Sequence, residues 1–123
     1  MKSILIVDDS RTTRNYHAAI TSSAGYNVVT ANDGADGLEK VLSLEFDLIL
    51  TDINMQGIDG YEFIRRVRAS AGQEDVPIII ISTESQAKYQ SKGYAAGANL
   101  YIIKPSEPAL LLGYVEMMIG EKS

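Results

Sequence analysis

Cysteine is absent from the chain, which excludes disulfides and thiolate metal sites but says little about compartment, since many small domains lack it. Histidine occurs once, at position 17, so the clustered imidazoles of zinc or copper centres are missing too. No apolar run approaches the ~18 residues that a membrane span needs, and Met1-Lys2 leads straight into a β-like segment without a cleavage-site pattern. These absences predict a cytoplasmic protein with no membrane insertion. Positive charge is in short supply: 11 Lys and Arg stand against 16 Asp and Glu, a formal net charge of -5. That balance argues against direct nucleic-acid binding by bulk electrostatics and suits a cation. A glycine-rich phosphate loop is also missing after the first apolar run, where Asp8-Asp9-Ser10-Arg11 would repel phosphate unless a metal intervened.

What is present is ordinary globular material, 123 residues with 46% hydrophobic and 22% charged, enough for one core and read as one domain over 1–123. Five short runs rich in β-branched residues cover 4–7, 27–31, 47–51, 78–81 and 100–103. Continuous apolarity, as in Ile78-Ile79-Ile80-Ile81, fits strands covered on both faces, the habit of parallel sheets. The run at 27–31 has less bulk and reads as an edge. Between the runs lie helical spacings over 10–24, 33–42, 59–70 and 86–96, and a last helix opens at Pro108. Gly25 suits a left-handed cap for the first. Ala35, Leu38 and Leu42 mark a packing face on the second, Gly60, Phe63, Ile64 and Val67 on the third, and Leu111, Val115, Met118 and Ile119 on the fifth. No repeat or low-complexity segment interrupts this βα alternation. It predicts an α/β fold, an open doubly wound parallel sheet with helices on both faces and its working site beyond the strand carboxyl ends.

Just past those ends stand Asp8 and Asp9 after the first strand, Asp52 after the third, Ser82 and Thr83 after the fourth, and Lys104-Pro105 after the fifth. Each alone has a plain reading: strand-end Asp is often a helix N-cap, Ser82 a cap for the next helix, Lys104 a solvated loop lysine. Together they converge on one edge. Carboxylates held together repel by roughly 1 kcal/mol per pair at ~4 Å in water and about 4 kcal/mol at an effective dielectric near 20. A hard divalent cation, Mg²⁺ or Mn²⁺ before Zn²⁺ or Cu²⁺, would offset that.

The set of DD after the first strand, D-x-N-M-x-x-x-D-G after the third, S-T after the fourth and KP after the fifth resembles the response-regulator receiver family, in its single-domain chemotaxis-regulator (CheY-like) form. The likeness runs from Ile4 to Ile119. It implies a flavodoxin-like (βα)5 fold with strand order 2-1-3-4-5. It implies Asp52 as phosphoacceptor, Asp9 as direct metal ligand, Asp8 as a ligand acting through water, and the Asn54 carbonyl completing the protein's share of a Mg²⁺ shell. Ser82 is similar to the switch hydroxyl, Lys104 to the phosphate-pairing lysine and Tyr101 to the aromatic switch residue. Asn54 and Glu84 resemble a pair found in regulators that dephosphorylate themselves quickly. The chain departs from the common pattern at Gln56, where Pro is usual, at Thr83, where Ala or Gly is common, and at Ser106, where Phe often follows Lys-Pro. Thr83 stands beside Ser82, where its bulk would narrow access to Asp52.

The chemistry is coherent on its own terms, because a carboxylate approaching an anionic phosphoryl group needs metal and lysine charge to neutralise and align the oxygens. The resulting expectation is a Mg²⁺-dependent phosphoacceptor switch and not a turnover enzyme, with intrinsic autophosphorylation and autodephosphorylation as its own reactions. Its partners would be a sensor histidine kinase or phosphotransfer protein upstream, and a downstream protein met through the last two helices and last strand. Its state would be a monomer or a weak phosphorylation-dependent dimer. A receiver belonging to a larger regulator reads identically, with 120–123 as the start of a linker. A Mg²⁺-dependent Asp-nucleophile phosphatase is the enzymatic rival, disfavoured because Asp8 and Asp9 are adjacent instead of spaced Asp-x-Asp and because no cap domain is present. His17, inside the first helix, reads as a surface or partly packed residue away from the strand-end edge. Arg65, Arg66 and Arg68 read as a solvated helix face with internal ion pairs.

Overall fold

In the computed structural model residues 1–120 are described; residues 121–123, on which the expected linker start falls, lie outside the described residues. Five strands alternate with five helices: β1 Ser3–Val7, α1 Arg11–Ser23, β2 Asn27–Ala31, α2 Gly34–Ser43, β3 Leu48–Thr51, α3 Gly60–Arg68, β4 Ile78–Ser82, α4 Ala87–Ala96, β5 Leu100–Ile103 and α5 Pro108–Ile119. The strands form one parallel sheet in the order β2-β1-β3-β4-β5, so β2 is an edge as its thin composition suggests.

The continuous apolar strands are explained by burial on both sides, since successive side chains point to opposite faces. Leu5, Val7, Ile49, Ile78 and Ile80 pack with Val41 of α2 and Phe63, Ile64 and Val67 of α3. Ile4, Ile6, Leu48, Leu50, Ile79 and Ile81 face the other way, against Leu111 and Val115 of α5 and Ile20 of α1. Each such side chain removed fully from water contributes about 1.5–3 kcal/mol. Three helices start on side-chain caps in which Ser10, Asp33 and Asp59 accept from the backbone N–H three residues on. Gly25 has a φ of 99°, the left-handed region expected of it.

Two packing expectations are corrected. On α2 the buried face is Gly34, Gly37 and Val41 with Leu38 beside it, while Ala35 is exposed and Leu42 is 75% exposed. Glycines reading as spacers are the contact surface here, because a Cβ on Gly37 would run into Phe63. On α3, Arg65 and Arg66 pair with Glu62 as expected, but Arg68 turns inward to the carbonyls of Gly97 and Val76 and to Asn99 Oδ1. It ties α3 to the ends of α4 and β4.

Candidate functional site

Register assembles the site. Val7 of β1 stands opposite Thr51 of β3, so Asp8 and Asp52 emerge side by side at the carboxyl edge. Ser82 of β4 stands opposite Ile103 of β5, which puts Lys104 one residue beyond it. The Lys104 ammonium reaches across, donating to Asp8 Oδ2 and Asp52 Oδ2, both at 3.0 Å, with only 13% of the lysine side chain exposed. Carboxylate oxygens of Asp8, Asp9 and Asp52 all lie within 4.8 Å of one another.

Backbone and side-chain bonds hold the acids in place. Asp8, 3% exposed, accepts from the Ser10 N–H at 2.9 Å through Oδ1, and its carbonyl accepts from Arg14 Nη1 at 2.8 Å. Asp52 Oδ1 accepts from the Ile53 N–H at 2.7 Å, and its carbonyl accepts from Thr51 Oγ1 at 2.9 Å. Asp9 and Asn54 are exposed beside them. Burial pushes the Asp52 carboxyl above its ordinary range, with the Lys104 hydrogen bond and charge opposing. Burial also works to lower Lys104, but its bonds to Asp8 and Asp52 outweigh that and raise it. Three carboxylates thus face one ammonium, an excess of negative charge on hard oxygen donors that fits a divalent cation.

Ser82 is fully buried, its Oγ accepting from the Glu84 N–H at 3.1 Å. Tyr101 lies inward at 9% exposure, its hydroxyl donating to the Glu84 carbonyl at 2.7 Å. The same short segment after β4 therefore joins Ser82 to Tyr101. Thr83 is exposed at the rim, Glu84 is half-buried, Gln56 is exposed on the loop after β3, and Ser106 is buried. The Lys104-Pro105 peptide bond is cis.

His17 is the residue the sequence reading misplaced. It is 3% exposed and packs at the strand-end edge, where burial first and then the Lys104 charge hold its imidazole below the ordinary range, against a smaller opposing pull from Asp8. Arg14 has no role in the sequence reading, and Gly60 appears there only as a motif and packing position. Helix α1 starts at the strand end, so positions 10, 14 and 17 share the face turned back to the site, a spacing that held the signal. Gly60 opens α3 directly against the segment that carries Asp52: its N–H donates to the Ile53 carbonyl at 2.7 Å, and a Cβ there would collide with the Asp52 carbonyl.

A doubly wound parallel sheet with a buried lysine among three carboxylates places this chain among the α/β proteins whose working site lies beyond the strand carboxyl ends. Within that class the family is specific. Residues 4–116 match the model described as response regulator receiver domain, and the chain belongs to that family. It is 36% identical over 119 residues to the response regulator ArlR of Staphylococcus aureus, covering 97% of this chain and 53% of that protein. It is 35% identical over 101 residues to a gliding motility regulatory protein of Myxococcus xanthus, covering 82% of this chain and 13% of the relative. The chain thus spans about half or less of the curated relatives it matches. Among solved structures, chemotaxis protein CheY4 of Vibrio cholerae aligns with a TM-score of 0.92 at 35% identity, covering 96% of this chain and 98% of that one. TrrA of Thermotoga maritima, in complex with Mg²⁺-BeF, aligns with a TM-score of 0.86 at 30% identity, covering 96% and 99%. The receiver of sensor histidine kinase PA1611 from Pseudomonas aeruginosa, with magnesium in its active-site cleft, aligns at 0.91 and 29%, covering 98% of each.

Proposed function

We propose that Asp52 is the phosphoacceptor of this receiver and that Lys104 is the residue that makes transfer to it feasible. The observation that carries this is the bridge in which one largely buried ammonium holds both Asp8 and Asp52 at 3.0 Å. In the transfer, a carboxylate oxygen of Asp52 forms a bond to phosphorus as the donor's bond to phosphorus breaks and its leaving group departs with that electron pair. Lys104, already between the carboxylates, is placed to pair with the phosphoryl oxygens once they arrive. Asp8, Asp9, Asp52 and the Asn54 carbonyl would hold Mg²⁺, or Mn²⁺ in its place, which supplies positive charge against the phosphoryl oxygens. The donor would be a sensor histidine kinase or a phosphotransfer protein.

Ser82 and Tyr101 are proposed as the switch, since both bond to Glu84, one through its N–H and one through its carbonyl. A phosphoryl group that draws the Ser82 hydroxyl away from the Glu84 N–H disturbs the segment that also anchors Tyr101, and α4, β5 and α5 then present a changed surface to a protein target. Asn54, Glu84 and Thr83 flank the approach to Asp52 and would set how fast water attacks phosphorus and restores the carboxylate. No contact with nucleic acid is part of this reading. It applies equally to a free-standing chemotaxis-type receiver and to a receiver within a longer regulator, functioning as a monomer or a weak phosphorylation-dependent dimer in the cytoplasm.

The test is phosphorylation by acetyl phosphate or phosphoramidate, with Mg²⁺ and with EDTA, on wild type and Asp52→Asn, read by intact mass. The expected result is a labile adduct of one phosphoryl group that needs both Asp52 and Mg²⁺. An adduct that persists in Asp52→Asn would place the acceptor elsewhere.

A further inference from the structure

A cavity of about 530 Å³ opens between α1 and the loop joining β5 to α5, within the size range of small-molecule sites. Its walls are mainly apolar, with the rings of Tyr16 and Pro105 and the methyl-bearing side chains of Thr12 and Thr13. Two polar side chains at the cavity are 97% buried, those of Ser106 and His17. The Ser106 hydroxyl has no hydrogen-bond partner among the described residues. The imidazole of His17 meets Tyr16 edge-on and lines the cavity beside Lys104. A buried polar group without a partner is rare because its desolvation is then uncompensated, so an unpartnered hydroxyl beside a buried imidazole points to something that bonds there.

We propose that this cavity binds a small neutral heteroaromatic molecule, its plane between Tyr16 and Pro105 and its ring nitrogens bonded to His17 and, after rotation about the serine Cα–Cβ bond, to Ser106. The one charged side chain on the lining, Lys104, is already paired with Asp8 and Asp52, so the cavity wall presents no unpaired charge and suits a neutral molecule. Ser106 lines the cavity, so a larger side chain at that position would take up part of it. The site lies next to the acidic cluster without using its carboxylates, so it stands whether or not Asp52 accepts phosphate.

Benzimidazole, with one donor and one acceptor nitrogen and no charge at neutral pH, is the probe. The full-length ¹⁵N-labelled chain is titrated with it in Mg²⁺, with indane as a control of the same shape that lacks both nitrogens. Saturable amide shifts centred on residues 12–17 and 104–106 are expected, at a Kd of about 1 mM or tighter for a ligand of that size. Indane should bind several-fold more weakly. Ser106→Phe, which fills the cavity, should weaken benzimidazole binding by about tenfold or more. Thr12→Trp, at an exposed position on the mouth, should do the same without touching the core. Shifts that do not saturate, that centre elsewhere, or that survive both substitutions would overturn the site. Equal binding of indane would overturn the hydrogen bonds assigned to His17 and Ser106.

Discussion

Lys104 Nζ lies 3.0 Å from Asp52 Oδ2 although the strands that carry the two residues, β5 and β3, are separated by β4. The same nitrogen is 3.0 Å from Asp8 at the end of β1. One cation therefore holds acids from two neighbouring strands, and the two ion pairs are largely out of water, where loss of one partner leaves charge uncompensated.

Lys104→Met should lower stability in EDTA by about 3 kcal/mol, the scale for breaking a buried pair from one side. Urea denaturation measures it, and added Mg²⁺ should recover part of the loss. A change below about 1 kcal/mol would mean that the pairs behave as solvated surface contacts.

Asp9 is exposed and, among the described residues, has no ion-pair partner, so its charge adds to the repulsion between the acids. Asp9→Ala should weaken Mg²⁺ binding at least tenfold and raise metal-free stability by about 1 kcal/mol, the water-screened size of such repulsion. Calorimetric titration with Mg²⁺ and melting in EDTA read the two effects. Unchanged Mg²⁺ affinity would remove Asp9 from the site.

Alkaline pH should destabilise the protein through buried groups that hold their protons, Lys104, Tyr61 and Tyr101 among them. Lys104 is raised by its carboxylate partners, and the Tyr61 hydroxyl, which donates to the Tyr89 carbonyl at 3.1 Å, is pushed up to about 12, chiefly by burial. Each keeps its proton in the folded chain after the unfolded chain has lost it, so folding binds more protons and stability falls as pH rises. The fall begins near pH 10 for the tyrosine and somewhat higher for the lysine. Tyr61→Phe should flatten the first part of that decline in urea midpoints measured from pH 8 to 11; an identical slope would contradict the assignment.

Gly60→Ala should cost about 1–3 kcal/mol, because the new methyl meets the carbonyl and carbonyl carbon of Asp52 and the Cα of Ile53, which are backbone and cannot rotate aside. The displaced group carries the candidate acceptor, so Mg²⁺ affinity should fall with stability. Retained affinity in a destabilised variant would show that the strain relaxes toward α3.

Tyr101→Phe removes the hydroxyl that bonds the Glu84 carbonyl and keeps the buried ring, at a cost of about 1 kcal/mol. Phosphorylation by acetyl phosphate should continue while exchange protection around residues 83–86 drops. Loss of phosphorylation itself would mean that Tyr101 shapes the acceptor site.

The strand runs were readable because burial on both faces makes each nearly all apolar, and Asp8, Asp52 and Lys104, each one residue past a strand, marked the site edge, while the strand order came from the resemblance to the receiver family. The α2 face was misread for a physical reason. Leu42 carries the stronger hydrophobic signal, yet glycine allows the closer approach, so Gly34 and Gly37 take the interior and the leucine is left outside. His17 was misread because a helix adjoining a strand end turns one face back over it, and that face, which holds Arg14 and His17, is set by where α1 begins and not by residue type. Nothing in residue types could show that Arg68 would spend its guanidinium on backbone carbonyls, since that depends on where the ends of α3, α4 and β4 meet.

β5 pairs with only one neighbour, yet it carries Tyr101 in its middle and Lys104 just past its end. An edge strand held on one side by backbone bonds is the member of a sheet with most freedom to shift. Here it is moored at its tip by a charge reaching two strands inward, and amidships by a phenol tied to the Glu84 carbonyl. Slackening either line changes the load on the other through three residues of backbone, so of the two edge strands it is β5 whose position is tied to both the acidic cluster and the Glu84 segment.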